Sequence, residues 1–296
     1  MDNDRTKGHI FALITVFIWG TTFISTKTLL KDFSPVEILF FRFVMGLLLL
    51  TAACPKRLRI GDKRRELTFV LAGLTGVCLY YLMENIALTY TTASNVGVIV
   101  ATAPFFTAIL SGEAKRSNYL FFIGFALSMA GICLISFTSA GPGFNPLGDI
   151  LALTAAFMWA CYSVLLKKIS LYGYNTIQTT RRIFVYGILF MIPAVFASHA
   201  SLGLSRFSDM TNLLNILFLG AGASALCFVT WNVSVKILGA LKTSVYIYMV
   251  PVVTVIASAI ILGERMTPAS VLGTALTLSG LILSQKRARR SSVEAA

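Results

Sequence analysis

The sequence predicts an all-α integral membrane protein of ten transmembrane helices, arranged as two five-helix repeats of opposite topology. Three observations lead there. First, 56% of the 296 residues are hydrophobic and only 12% are charged, whereas a soluble chain carries about 25% charged and about 45–50% apolar residues. Such a composition cannot clothe a water-facing surface, and it excludes a soluble enzyme. Second, apolar runs long enough to cross a bilayer recur along the whole chain. Third, the second half of the sequence repeats the first.

A helix needs about 20 apolar residues to cross the hydrocarbon core. Spans are expected at residues 9–30, 36–54, 67–88, 93–111 and 118–138, and then at 147–169, 177–198, 211–235, 241–262 and 269–285. The longest polar connections, 55–66 and 199–210, are too short for an independent domain. Any function therefore resides inside the bundle. The first span lacks an Ala-x-Ala cleavage site and is too long for a signal-peptide core, so it is expected to be retained. The five cysteines sit singly within or beside apolar runs and imply neither a disulfide framework nor a metal site. No metal and no cofactor are expected.

The formal net charge of +13 would raise the question of nucleic acid in a soluble chain; in a membrane protein it reads as orientation. With a cytoplasmic N-terminus, one side collects Arg5, Lys7, the basic residues of 56–65, Lys115, Arg116, Lys167, Lys168, Lys236, Lys242 and the cluster at 286–290. The opposite side holds only Lys27, Lys31, Arg206 and Arg265. Both termini are expected in the cytoplasm, and no nucleic-acid partner is expected.

An offset of 140 residues aligns GHIFALITVFIWG, starting at Gly8, with GDILALTAAFMWA, starting at Gly148; at the same offset Arg42 meets Arg182. An offset of 147 pairs Asn85 with Asn232 and Pro104 with Pro251, and a four-residue gap later Gly112-Glu113 meets Gly263-Glu264. The expected units are residues 1–139 and 140–296. Five spans per unit force the second copy to enter the membrane in the opposite sense. Inverted repeats are typical of secondary transporters, whose substrate site lies near the midplane between the halves.

The spans supply the candidate residues in turn. Span 1 sets Thr15, Trp19, Thr22 and Thr26 on one helical face, and in its repeat Trp159 and Tyr162 occupy the similar face of span 6. Cavity lining competes here with interhelical packing through Thr hydroxyls. Span 2 carries Arg42 and span 7 its counterpart Arg182, buried charges expected to hold a neighbouring carbonyl or acid, or to meet a substrate carboxylate. Span 3 places Tyr81, Glu84 and Asn85 on one face. A carboxyl at that depth costs roughly 2.5–3.5 kcal/mol on insertion scales, which makes Glu84 a functional candidate by default. It is suited to binding a substrate ammonium, exchanging a proton or pairing with Arg42.

Asn85 and Asn232 fit helix-to-helix hydrogen bonding as well as ligand contact, and Tyr246 of span 9 is a further substrate-binding candidate. Pro104 and Pro251 free carbonyls and kink their helices, so they are candidate hinges. Glu113 and Glu264 are expected to pair with Arg116 or Arg265 at span ends. Gly124, Ser128 and Gly131 of span 5 and Gly273, Thr277 and Gly280 of span 10 read as packing surfaces.

Taken together, the IWG of span 1 with its partner MWA, the prolines of spans 4 and 9, and the paired GE motifs resemble the EamA-type branch of the drug/metabolite transporter superfamily. LGERMTPASVLGTALTLSGLIL, from Leu262 to Leu283, is especially similar. Within that branch the sequence is most similar to YddG-type amino-acid exporters. One departure is that the first repeat, ILSGEAKRS, is about one helical turn shorter before its GE than the second. The resemblance implies an inner-membrane carrier that exports amino acids or related metabolites by alternating access. A carrier of another metabolite or of a lipophilic drug is the alternative. Small multidrug relatives rely on a Glu in their first helix; residues 9–30 hold no acid here, so that proton scheme does not carry over. The expected partners are a small-molecule substrate and the lipid bilayer, and a monomer suffices because both repeats lie in one chain.

Overall fold

The computed structural model describes residues 2–112, 119–139, 146–238, 243, 245–264 and 267–285. Among them every regular element is helical, with no strand. The elements are α1 (Asp2–Leu29), α2 (Pro35–Ala53), α3 (Lys63–Tyr90), α4 (Ala93–Val100), α5 (Ala103–Leu110) and α6 (Tyr119–Ser139). They continue as α7 (Leu147–Ser170), α8 (Thr176–Ala197), α9 (Met210–Leu238), α10 (Val250–Ile261) and α11 (Pro268–Gln285). Seven helical stretches are long and apolar enough to cross a membrane, with α4 and α5 counted as one, and shorter apolar helices accompany them.

Side-chain caps fix where these helices begin. Ser34 accepts from the Glu37 N–H while the Glu37 carboxylate accepts from the Ser34 N–H at 2.8 Å, a reciprocal capping box with Pro35 just inside the helix. Asp62, Thr92, Asn175 and Asp209 cap α3, α4, α8 and α9 in the same way, each accepting from a first-turn N–H. The connections between spans are thereby short and sharply defined.

The two candidate hinge prolines lie at helix starts. The stretch from Ala93 to Leu110 breaks at Ala101–Thr102, and Pro104 occupies the first turn of α5. Pro251 occupies the first turn of α10, preceded by a 3-10 segment at Val245–Met249. Where a kink is expected from the missing N–H, the first helix is interrupted by a turn and the second changes from 3-10 to α winding, which leaves each Pro in a first turn, where no intrahelical partner is needed. Two further irregularities match between the halves. Leu74–Leu79 within α3 and Phe218–Leu226 within α9 are wound as π-helix, a widened turn frequent at functional sites.

Helices α6 and α11 pack face to face through small residues. Ser128 Oγ donates to the Thr277 carbonyl at 2.9 Å and Thr277 Oγ1 to the Ser128 carbonyl at 3.4 Å. A Cβ on Gly131 would lie 2.5 Å from the Gly273 carbonyl oxygen, and one on Gly280 2.4 Å from that of Gly124. The other helices enclose a second, bulkier core centred on the aromatic residues of α1, α3, α7 and α9.

Candidate functional site

Trp19 lies at the centre of the bundle, where both halves of the chain meet. Its ring packs 5.4 Å edge-on from Trp159 of α7, 5.1 Å from Trp231 of α9 and 6.1 Å from Phe228. Its indole N–H donates to the Ala223 carbonyl at 3.2 Å. That carbonyl belongs to the π-turn of α9, where a widened backbone frees acceptors from the α-helical ladder. Trp159 in turn contacts Tyr80 at 4.9 Å and Tyr162 at 5.1 Å. Gly76, in the π-turn of α3, makes room for Tyr162: a Cβ there would lie 2.3 Å from the Tyr162 ring. Phe43, Phe184 and Phe228 close the cluster, with ring separations of 4.9 Å between Phe43 and Phe184 and 5.1 Å between Phe184 and Phe228.

A cavity of about 40 Å³ is enclosed by Trp19, Thr22, Phe23, Tyr80, Tyr81, Glu84, Val100, Trp159, Ile247 and Val250. It is small for a ligand pocket, which typically spans about 300–1,000 Å³. Val100 ends α4 and Val250 begins α10, so the walls include both sites where the helices break.

Two charged groups lie beside this cavity. Arg42 is fully buried; its Nε donates to Ser224 Oγ at 3.1 Å, and its guanidinium stacks 4.3 Å over the Tyr81 ring. Neither terminal guanidinium nitrogen has a hydrogen-bond partner among the described residues. Glu84, also fully buried, lies within electrostatic reach of Arg42 and faces the Tyr80 hydroxyl, and its Oε1 has no partner either. Unmade hydrogen bonds on buried charges are costly.

Trp19, Tyr81, Glu84 and Trp159 thus meet in the cavity wall, and Tyr162 supports it from behind. Asn85 and Asn232 serve helix packing: Asn85 donates to the Pro35 carbonyl at 3.1 Å and Asn232 to Thr180 Oγ1 at 2.9 Å, each leaving its own oxygen unpartnered. Thr15 likewise reaches Thr230 Oγ1 at 2.7 Å, and Thr22 lines the cavity. Tyr246 stands apart; its hydroxyl meets His9 Nδ1 at 2.6 Å, because the 3-10 turn presents Ile247 to the cavity instead.

Arg182 is not a buried counterpart of Arg42. Its side chain is 35% exposed and pairs with Glu66 at 2.6 Å, with Tyr186 sharing the carboxylate. Its neighbour Arg181 turns inward, to the Cys54 and Lys56 carbonyls. The mirrored sequence position therefore has a different environment at the basic end of the bundle.

At the Lys/Arg-poor end, Lys27 donates to the Leu88 and Thr91 carbonyls that end α3, at 2.5 and 2.7 Å. Glu264 accepts from the Ala93 N–H at 2.9 Å and from Ser94 Oγ at 2.6 Å at the start of α4. A cation at a helix C-terminus and an anion at an N-terminus both complement the helix dipole. The expected Glu264 partner Arg265, and Glu113 with Arg116, lie outside the described residues.

Trp231, Phe228, Phe43 and Phe184 carry no sequence signal, since an aromatic within an apolar span has no contrast with its surroundings. Tyr80, one α-helical turn before Glu84, lines the cavity with it and with Tyr81.

The profile of the EamA-like transporter family matches residues 6–137 and again residues 146–285. The chain belongs to this family. It is accordingly a multi-pass membrane transporter and not an enzyme. It is similar to an uncharacterized transporter of Archaeoglobus fulgidus, with 28% identity over 285 residues that cover 94% of this chain and 97% of the relative. A probable amino-acid metabolite efflux pump of Escherichia coli is 26% identical over 94% of each chain. A probable terminal-alkyne amino-acid exporter of Streptantibioticus cattleyicolor is 24% identical over 94% of this chain and 93% of its own. A solved crystal structure aligns with 97% of this chain and 99% of its own at a TM-score of 0.68 and 17% identity, a likeness of fold.

Proposed function

We propose that the chain is a ten-span carrier built from inverted repeats, residues 1–139 and 140–296. In this reading it exports small amphipathic metabolites, above all amino acids, across the cytoplasmic membrane by alternating access, with both termini cytoplasmic. The observation that carries the reading is the aromatic cavity at the seam of the two halves, flanked by Arg42 and Glu84 with unmade hydrogen bonds. A zwitterion matches that arrangement. Its ammonium meets the Glu84 carboxylate, its carboxylate meets the Arg42 guanidinium, and its side chain lies against Trp19 and Trp159, where rings offer area without demanding one shape. The names of the Escherichia coli and Streptantibioticus cattleyicolor relatives agree with this substrate class.

The contracted cavity implies that substrate enters only when its walls part. Val100, Ile247 and Val250 sit beside the helix breaks, so movement of α4 against α5, and of the 3-10 segment against α10, enlarges the cavity directly. Pro104 and Pro251 act as the hinges. Mirrored elements in oppositely inserted halves would open the site to each side in turn.

The test is counterflow in proteoliposomes made with purified protein, with protein-free vesicles as controls. Labelled amino acid should accumulate only in vesicles preloaded with an accepted amino acid. Absence of counterflow with every amino acid, from protein shown to be folded, would transfer the proposal to other metabolites or lipophilic drugs.

A further inference from the structure

A cleft of about 400 Å³, far larger than the central cavity, opens between the end of α2 and the start of α8. It lies at the Lys/Arg-rich end of the bundle. Its walls are of two kinds. Leu47, Leu48 and Val185 are apolar, and Leu48 at 65% and Val185 at 37% exposure face outward to the lipid. Arg57, Arg181 and Arg182 gather at the connection that joins α2 to α3.

The charge of the cleft is not cancelled by the protein. Arg182 is neutralised by Glu66. Arg181, 8% exposed, binds only the neutral Cys54 and Lys56 carbonyls and so keeps its full charge. Arg57 makes no hydrogen bond or ion pair with any described residue. Asp62, in the same connection as Arg57, caps α3 and faces Arg65 at 3.6 Å. At the opposite end of the same helix pair the charges are matched: Glu37 of α2 accepts from the Ser201 N–H just beyond α8 and pairs with Arg206 at 2.9 Å.

We propose that this cleft is a binding site for one anionic phospholipid. The phosphate sits between Arg57 and Arg181, and an acyl chain runs down Leu47, Leu48 and Val185. A basic pocket between helices with an apolar, lipid-facing floor satisfies both parts of such a molecule. A free anion would leave the apolar wall unused, and a zwitterionic lipid would bring a choline or ethanolamine cation against two arginines. Because α2 and α8 come from different halves of the chain, the bound lipid bridges them at one end.

Native mass spectrometry of the full chain, released from detergent with phosphatidylglycerol or phosphatidylcholine at equal concentration, tests the site. Phosphatidylglycerol should bind at least fivefold better, and Arg57→Glu should weaken it by about tenfold, since each basic side chain near an anionic lipid contributes about 1 kcal/mol. Leu48→Trp, which fills the cleft without touching a charge, should also displace the lipid while the protein melts normally. Equal binding of both lipids, unchanged phosphatidylglycerol binding by both variants, or its full displacement by millimolar inorganic phosphate would each overturn the assignment.

Discussion

The α6–α11 pair and the aromatic seam around Trp19 are both helix interfaces in an apolar protein, yet they are built on opposite rules. In the first, small residues let backbones approach, and every hydroxyl at the contact reaches the carbonyl opposite. In the second, bulky rings hold the helices apart, and Arg42 and Glu84 keep polar atoms unpartnered among the described residues. Close packing with satisfied groups stabilises one arrangement. Large rings and unmade hydrogen bonds around a contracted cavity suit a surface that must repack around a substrate. The difference fits a stabilising role for the first interface and the proposed substrate site at the second.

Substitutions can break that division. The largest effect on stability is expected from Gly131→Leu, which forces a side chain into the Gly273 backbone and should cost about 3 kcal/mol, read as a loss of detergent-solubilised melting temperature. Glu84→Gln should do the reverse. It removes the charge partner of a substrate ammonium while keeping shape, so transport should fall by about tenfold with melting unchanged or raised. Trp19→Ala or Trp159→Ala should impair counterflow without abolishing membrane insertion; wild-type rates at normal protein level would remove these rings from the site.

Trp19→Phe sharpens the comparison further. It keeps most of the ring but loses the bond to the Ala223 carbonyl, and should cost about 1 kcal/mol of stability. The smallest effect concerns Asp209, outside both interfaces, whose carboxyl is held below the usual range by the Asn212 and Thr211 N–H groups it caps. Because its folded pKa is depressed, its contribution is present above the unfolded value of about 3.9 and is lost as pH falls through the folded one. The small melting difference between wild type and Asp209→Ala should therefore be constant near neutrality and close in acid.

Much of this division was legible in the sequence. The Gly/Ser/Thr spacing of the α6–α11 contact could be read directly, because small residues among large ones stand out. Trp19, Trp159 and Glu84 stood out for a similar reason, being polar or amphipathic groups far from a span end. Trp231 and Phe228 gave no such contrast within an apolar run. Tyr246, a substrate-binding candidate by sequence, meets His9 instead, because the 3-10 turn around it presents Ile247 to the cavity. Arg182 was read through its repeat partner Arg42, but a mirrored position at the basic end meets Glu66, where Arg42 meets Tyr81 and Ser224. Repeat symmetry specified backbone positions and left side-chain environments to each end of the bundle.

The chain's three tryptophans, Trp19, Trp159 and Trp231, all lie in the seam, so intrinsic tryptophan emission reports on that surface alone. Titrating purified protein with an amino acid that supports counterflow should change the emission saturably in wild type and leave it nearly unchanged in Glu84→Gln. An amino acid that is exchanged at full rate while the emission stays constant would contradict a substrate site at the seam.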